Sequence, residues 1–174
     1  DANGNTTTFA YDGVHRLVAE QNALGGVTRY QFDPVGNLVQ KSDANGHATT
    51  YAYDLLNRLL ATTDAEGHSR QLAYDAVGNV VTATNARGFA TAMTYDALDR
   101  VQTVTDAKAG VMAFTYDAVG NVLRFVDQNG HARAFTYDVV DRLLDATDAA
   151  GYVTAHAYDA NGNRTALTDG NNHQ

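Results

Sequence analysis

The sequence contains no cysteine, which excludes a disulfide framework and thiolate chemistry. It contains one proline, Pro34, against fifteen glycines, so its turns are made almost entirely without proline. Basic residues are few: 12 Lys and Arg stand against 20 Asp and Glu, for a net charge of −8. Affinity for nucleic acid depends on neutralising phosphates with Lys and Arg, so this balance argues against a nucleic-acid partner. No apolar run approaches the ~20 residues of a membrane-spanning helix, and no signal peptide is visible. Charged residues make up 18%, below the usual share of about 25%. The first residue is Asp1 and not Met. The expectation is a single array over residues 1–174, cut from a longer one.

What is present is a repeat. An aromatic-Asp pair recurs at Tyr11-Asp12, Phe32-Asp33, Tyr53-Asp54, Tyr74-Asp75, Tyr95-Asp96, Tyr116-Asp117, Tyr137-Asp138 and Tyr158-Asp159. Each step is 21 residues, giving eight units without insertion or deletion. A second marker keeps the same register. Asp or Asn at 22, 43, 64, 85, 127 and 148 is followed three residues later by Gly25, Gly46, Gly67, Gly88, Gly130 and Gly151, and Asp1 likewise by Gly4. Two units depart: Ala109 stands where the glycine is expected, with Gly110 after it, and Asn172 takes the last such position, after Asp169.

Three residues after each Asp of the aromatic-Asp pair come His15, Gly36, Asn57, Gly78, Asp99, Gly120, Asp141 and Gly162. Gly, Asn, Asp and His are the residues that most readily adopt positive φ. Both corners therefore predict a type I turn closed by a G1 bulge, the usual three-residue hairpin loop. The aspartates read first as turn formers that accept backbone N–H groups. The segments between corners have strand length and are rich in Thr, Tyr, Val and Phe. Connections this short permit only antiparallel neighbours. The fold class predicted is all-β, an antiparallel meander of hairpin repeats. A strip of sixteen strands exceeds the ~10 at which open sheets curl or split, so the meander is expected to curl or spiral into part of a β-shell or solenoid.

Alternation along the strands assigns two faces. One carries the tyrosines, the column Phe9, Tyr30, Tyr51, Leu72, Met93, Phe114, Phe135, His156, and, across the turn, Leu17, Leu38, Leu59, Val80, Val101, Val122 and Leu143. This face is expected to be firmly buried, so that Tyr74→Ala costs on the order of 3 kcal/mol. The other face is expected to set residues such as Ala10, Ala52 and Thr94 opposite Val18, Leu60 and Gln102. A slower rhythm of 42 residues overlies the repeat: Arg16, Arg58, Arg100 and Arg142 follow the corner in odd units, and Asn37, Asn79, Asn121 and Asn163 in even ones. The arginines read as partners of turn aspartates, or as a ligand row at about 19 Å spacing, which suits a polymer.

These columns resemble the YD-repeat, or Rhs-repeat, family over essentially the whole chain. The pattern is carried by Tyr74-Asp75-Ala76-Val77-Gly78-Asn79-Val80 and Tyr53-Asp54-Leu55-Leu56-Asn57-Arg58-Leu59. The downstream half is carried by Asp43-Ala44-Asn45-Gly46 leading to Tyr51-Ala52-Tyr53-Asp54. The resemblance implies large bacterial secreted or surface proteins, including Rhs toxins, toxin-complex C components and wall-associated proteins, and also animal teneurins. It implies repeats wound into a hollow β-shell that can enclose a C-terminal toxin domain. Some members are linked to carbohydrate binding and cell contact. Self-cleaving shells carry an Asp-Pro segment after the repeats; Asp33-Pro34-Val35-Gly36 echoes it only in an ordinary corner register.

No nucleophile–base constellation, phosphate loop or cofactor motif stands out, and no carboxylate pair breaks the repeat. His47, His68, His131 and His173 share a column after the turn, but zinc needs three or four convergent ligands. The Asp-Ala-Asn-Gly turns lack the longer ligand series of a calcium loop. The chain is therefore expected to be no enzyme and to need no cofactor or metal. Its leading role is a structural shell segment of a secreted or surface bacterial protein, partnered by the rest of the shell or further repeats. A glycan- or cell-surface-binding module is the alternative, and a fibre grown through open strand edges the second.

Overall fold

The computed structural model describes residues 6–170. Gly4, Asp1 and His173 lie outside the described residues. Among those described there is no helix. The strands are β1 (Thr8–Tyr11), β2 (Leu17–Gln21), β3 (Val27–Phe32), β4 (Leu38–Ser42), β5 (Ala48–Tyr53), β6 (Leu59–Thr63), β7 (Ser69–Tyr74) and β8 (Val80–Thr84). They continue as β9 (Ala90–Tyr95), β10 (Val101–Thr105), β11 (Val111–Tyr116), β12 (Val122–Val126), β13 (Ala132–Tyr137), β14 (Leu143–Thr147), β15 (Val153–Tyr158) and β16 (Arg164–Thr168). The strands follow chain order in the sheet, and within each of the two units described below consecutive strands pair antiparallel, such as β5 with β6 and β11 with β12. The chain divides into two compact units, Asp1–Ala90 and Thr91–Gln174.

The corners close as their residues dictate. The Asp54 amide donates to the Arg58 carbonyl at 3.0 Å, and the Asn57 amide donates back to the Asp54 carbonyl at 3.0 Å. Asn57 sits at φ 61°, the left-handed conformation that ends the turn. All eight residues expected in that conformation at the Tyr-Asp corners have positive φ. The other edge repeats the geometry, with Asp43 N to His47 O at 2.9 Å and Gly46 N to Asp43 O at 3.1 Å. Ala109 adopts φ 64° without the freedom of glycine.

The two edges differ in strand register beyond the turn. From the Asp43 corner the register runs on unbroken, Ser42 facing Ala48, Lys41 facing Thr49 and Gln40 facing Thr50. From the Asp54 corner Tyr53 faces Leu59, but Ala52 faces Ala61, with Leu60 as the extra residue of a β-bulge. The same shift recurs in every Tyr-Asp hairpin, for example Thr94 facing Thr103 and Thr136 facing Asp145. The expected partners Val18, Leu60 and Gln102 of the second face are thus displaced by one residue. A strict two-residue period cannot anticipate a bulge, where two residues oppose one. The second face is smaller and more polar as a result: Thr94 and Thr103 hydroxyls lie 2.7 Å apart, and Thr136 donates to Asp145 Oδ2 at 2.9 Å.

The aromatic face pairs Phe114 with Phe125 across the strands, ring centroids 5.2 Å apart. Yet no described side chain, apolar or polar, is buried. The firm burial expected of this face is not supplied by the chain itself, because a single sheet layer covers neither of its own faces.

Candidate functional site

The chemistry of the repeat concentrates at the Tyr-Asp corners. Asp54 Oδ1 accepts the amides of Leu56 at 2.8 Å and Arg58 at 2.9 Å, while Oδ2 accepts Arg58 Nε at 2.7 Å. Asp12, Asp96 and Asp138 hold Arg16, Arg100 and Arg142 in the same way, at 2.7, 2.7 and 2.6 Å. In even units an asparagine takes the arginine's place, as where Asn37 Nδ2 donates to Asp33 Oδ2 at 2.9 Å. On the opposite edge a histidine does so, His47 Nδ1 lying 3.0 Å from Asp43 Oδ2. The amide of Arg16, and then its side chain, hold the Asp12 carboxyl below its ordinary range. At Asp33 partial burial, the largest single influence, pulls upward, but the bonds from Asn37, Gly36 and Val35 together prevail downward. Asp54, Asp75, Asp96, Asp117, Asp138 and Asp159 are lowered as well.

Each arginine also reaches the next hairpin. Within the first unit Arg16 Nη1 donates to the Asp33 carbonyl at 3.2 Å and Arg58 Nη1 to that of Asp75 at 3.0 Å. Within the second, Arg100 reaches Asp117 at 2.7 Å and Arg142 reaches Asp159 at 3.2 Å. The guanidinium carbons stand over the aromatic ring of that next corner, 4.8 Å from Phe32, 4.6 Å from Tyr74, 4.6 Å from Tyr116 and 4.7 Å from Tyr158. The tyrosine hydroxyls point the other way along the array. Tyr53 donates to Leu38 O at 3.0 Å, Tyr74 to Leu59 O at 2.8 Å and Tyr116 to Val101 O at 2.7 Å. Partial burial raises the phenols of Tyr53 and Tyr137 above their ordinary value.

The 42-residue rhythm accompanies this geometry. An arginine lies against a corner whose left-handed residue is glycine: a Cβ on Gly36 would stand 3.9 Å from Arg16 Nη1, and one on Gly162 3.8 Å from Arg142 Nη1. An asparagine instead donates to a corner whose left-handed residue bears an acceptor, Asn37 to Asn57 Oδ1 and Asn121 to Asp141 Oδ1, both at 2.8 Å. The alternation of Gly with Asn or Asp, legible in the sequence, was the signal for these bonds; without knowledge of which corners neighbour each other it stayed uninterpreted.

The remaining sequence candidates fall at the edges. Asp64, Glu66 and His68 bring ligand atoms within 4.8 Å of one another, all exposed, and His68 Nδ1 already lies 3.2 Å from Asp64 Oδ2. The arginines of the ligand-row reading keep 25–32% of their side chains exposed while engaged as above. Where the aromatic column ends, His156 Nδ1 is enclosed without a hydrogen-bond partner.

The fold has a solved counterpart. The chain is similar to the crystal structure of TcdB2-TccC3-TEV at 16% identity and a TM-score of 0.58, over 94% of this chain and 11% of that one. It is also similar to the Photorhabdus luminescens Tc holotoxin pore at 17% identity and a TM-score of 0.48, over 94% of this chain and 12% of that one. It thus spans about a ninth of the length of these chains. No curated protein sequence matches it. A family model described as the Teneurin YD-shell matches residues 4–174. The matched residues take in all eight Tyr-Asp hairpins, and the chain belongs to the Teneurin YD-shell family.

Proposed function

We propose that this chain is a length of shell wall in a larger secreted or surface bacterial protein, enclosing or presenting a toxin or partner domain. The observation that carries the reading is the double linkage of neighbouring hairpins: backbone ladders between strands, and arginine and tyrosine bonds along the corner edge. A wall needs continuity in two directions, and side-chain bonds that cross from hairpin to hairpin supply it independently of a packed core. Family membership supports the same reading. The surface left open is what a wall presents to its contents and surroundings. The mechanism is containment: the turn aspartates are engaged in holding corners, and the chain acts by keeping its shape. Residues 1–174 serve in this reading as one array of about eight repeats, continued by the rest of the shell.

Protease protection in the full-length protein tests it. The enclosed domain is expected to resist digestion while the wall is intact, and to be cut in a Tyr74→Ala/Arg58→Ala variant that opens the corner edge. Digestion of that domain at the same rate with wall and opened wall would refute containment.

A further inference from the structure

The turn type used at both edges asks nothing of its third residue, yet the two edges fill that position differently. In the first unit the Tyr-Asp corners place Val14, Val35, Leu56 and Val77 there, 67–74% exposed. In the second they place Leu98, Val119 and Val140, 62–72% exposed. Leu55, beside Leu56, is fully exposed. The last corner departs, with Asn161. The opposite edge carries Asn45, Glu66, Arg87, Lys108 and Asn129 at the equivalent position, with Leu24 and Ala150 as the apolar residues. Turn tips are ordinarily polar, and nothing within a hairpin uses these side chains. Their backbone is nonetheless held: the amides of Val14, Val35, Leu56 and Val77 each donate to the corner aspartate at 2.8–3.1 Å.

The geometry points to the Tyr-Asp edge as a docking edge, and to a second copy of this chain as its occupant. The tips recur at every second strand, a pitch of about 9.6 Å. A partner must present apolar groups at that pitch to meet them all, and a copy of the same ribbon does. Asp12 and Asp54 are neutralised locally by Arg16 and Arg58, while Asp33 and Asp75 are held by Asn37 and Asn79 and keep their charge; a two-fold contact sets each charged corner against a neutralised one, Asp75 against Asp12 and Asp33 against Asp54. The opposite edge, with charges of both signs at its tips, is no match for the ridge. Five tip side chains on each copy of the first unit come to roughly 1,000 Å², the lower limit of a specific interface. A two-fold arrangement pairs Val14 with Val77, and Val35 with Leu56, of the other copy. This edge is distinct from the open strand edges that would grow a fibre, and the inference does not rest on the containment reading.

Sedimentation velocity across a concentration series, in high and low salt, tests the inference. The chain is expected to form a dimer that persists in high salt. V35D/L56D is expected to weaken it at least ten-fold with an unchanged urea midpoint, while N45D/N129D, which adds the same charge to the opposite edge, leaves it intact. The chain has no native cysteine, so Val35→Cys/Leu56→Cys is expected to form an intermolecular disulfide. A monomer at every concentration, or equal dimerisation by V35D/L56D, would overturn the inference. So would a monomer that binds neutral lipid vesicles through the same side chains.

Discussion

Tyr74 offers a quantitative test of the cross-hairpin links. Its hydroxyl donates to Leu59 O at 2.8 Å, and its ring lies 4.6 Å from the Arg58 guanidinium carbon. Tyr74→Phe removes the hydrogen bond and keeps the ring, so the expected loss is about 1 kcal/mol, the usual net worth of a neutral bond. Tyr74→Ala removes both. A fully buried aromatic costs 3–5 kcal/mol, but Tyr74 is only half-buried. About 2 kcal/mol is therefore expected, less than full burial would imply. Equilibrium urea unfolding measures both variants, and amide exchange around Leu59 locates the loss, since repeat arrays open locally. A neutral Tyr74→Phe together with a Tyr74→Ala loss above about 3 kcal/mol would refute the reasoning: the ring would be core and the hydroxyl idle.

The corners lead to three further expected outcomes. Ala109→Gly is expected to stabilise the chain by about 1 kcal/mol, because alanine at φ 64° bears a left-handed penalty that glycine lacks; unchanged thermal unfolding would contradict this. The corner aspartates have folded pKa values below 3.8, so their contribution is present above the unfolded value and lost as pH falls through the folded one. The urea midpoint is expected to hold from neutral pH to near 5 and to fall below about 4, less steeply in Asp54→Asn; a flat profile to pH 2 would oppose it. A double-mutant cycle on Asn37→Ala and Asn57→Ala is expected to give a coupling of about 0.5 kcal/mol, and additive losses would show that their 2.8 Å bond contributes nothing.

Much of this architecture was legible because each corner is a local event. Asp54 and Asn57, three residues apart, determine a turn whatever surrounds them, and the 21-residue step repeats that decision. The pairing of Tyr53 with Leu59 is dictated by the turn alone. The bulge at Leu60 is not, because an inserted residue changes register without leaving a mark in hydrophobic alternation. Burial was misjudged for a related reason: a column of rings announces a face, not what lies over it. The arginines are partners of turn aspartates, as their spacing suggests, but their second reach, from Arg58 to the Asp75 carbonyl 17 residues on, required knowing that successive corners lie side by side. The aliphatic tips at Val35 and Leu56 were visible as a column and carried no meaning until their exposure was known.

Cross-strand nuclear Overhauser effects in the first unit test the central claim most directly. The account predicts backbone contacts of Thr50 with Thr63 and of Ala52 with Ala61 in one hairpin, and of Ala61 with Gln71 between hairpins, with Leu60 left out of the ladder. Contacts linking Ala52 to Leu60, or none between Ala61 and Gln71, would contradict the bulged, continuous wall on which the rest is built.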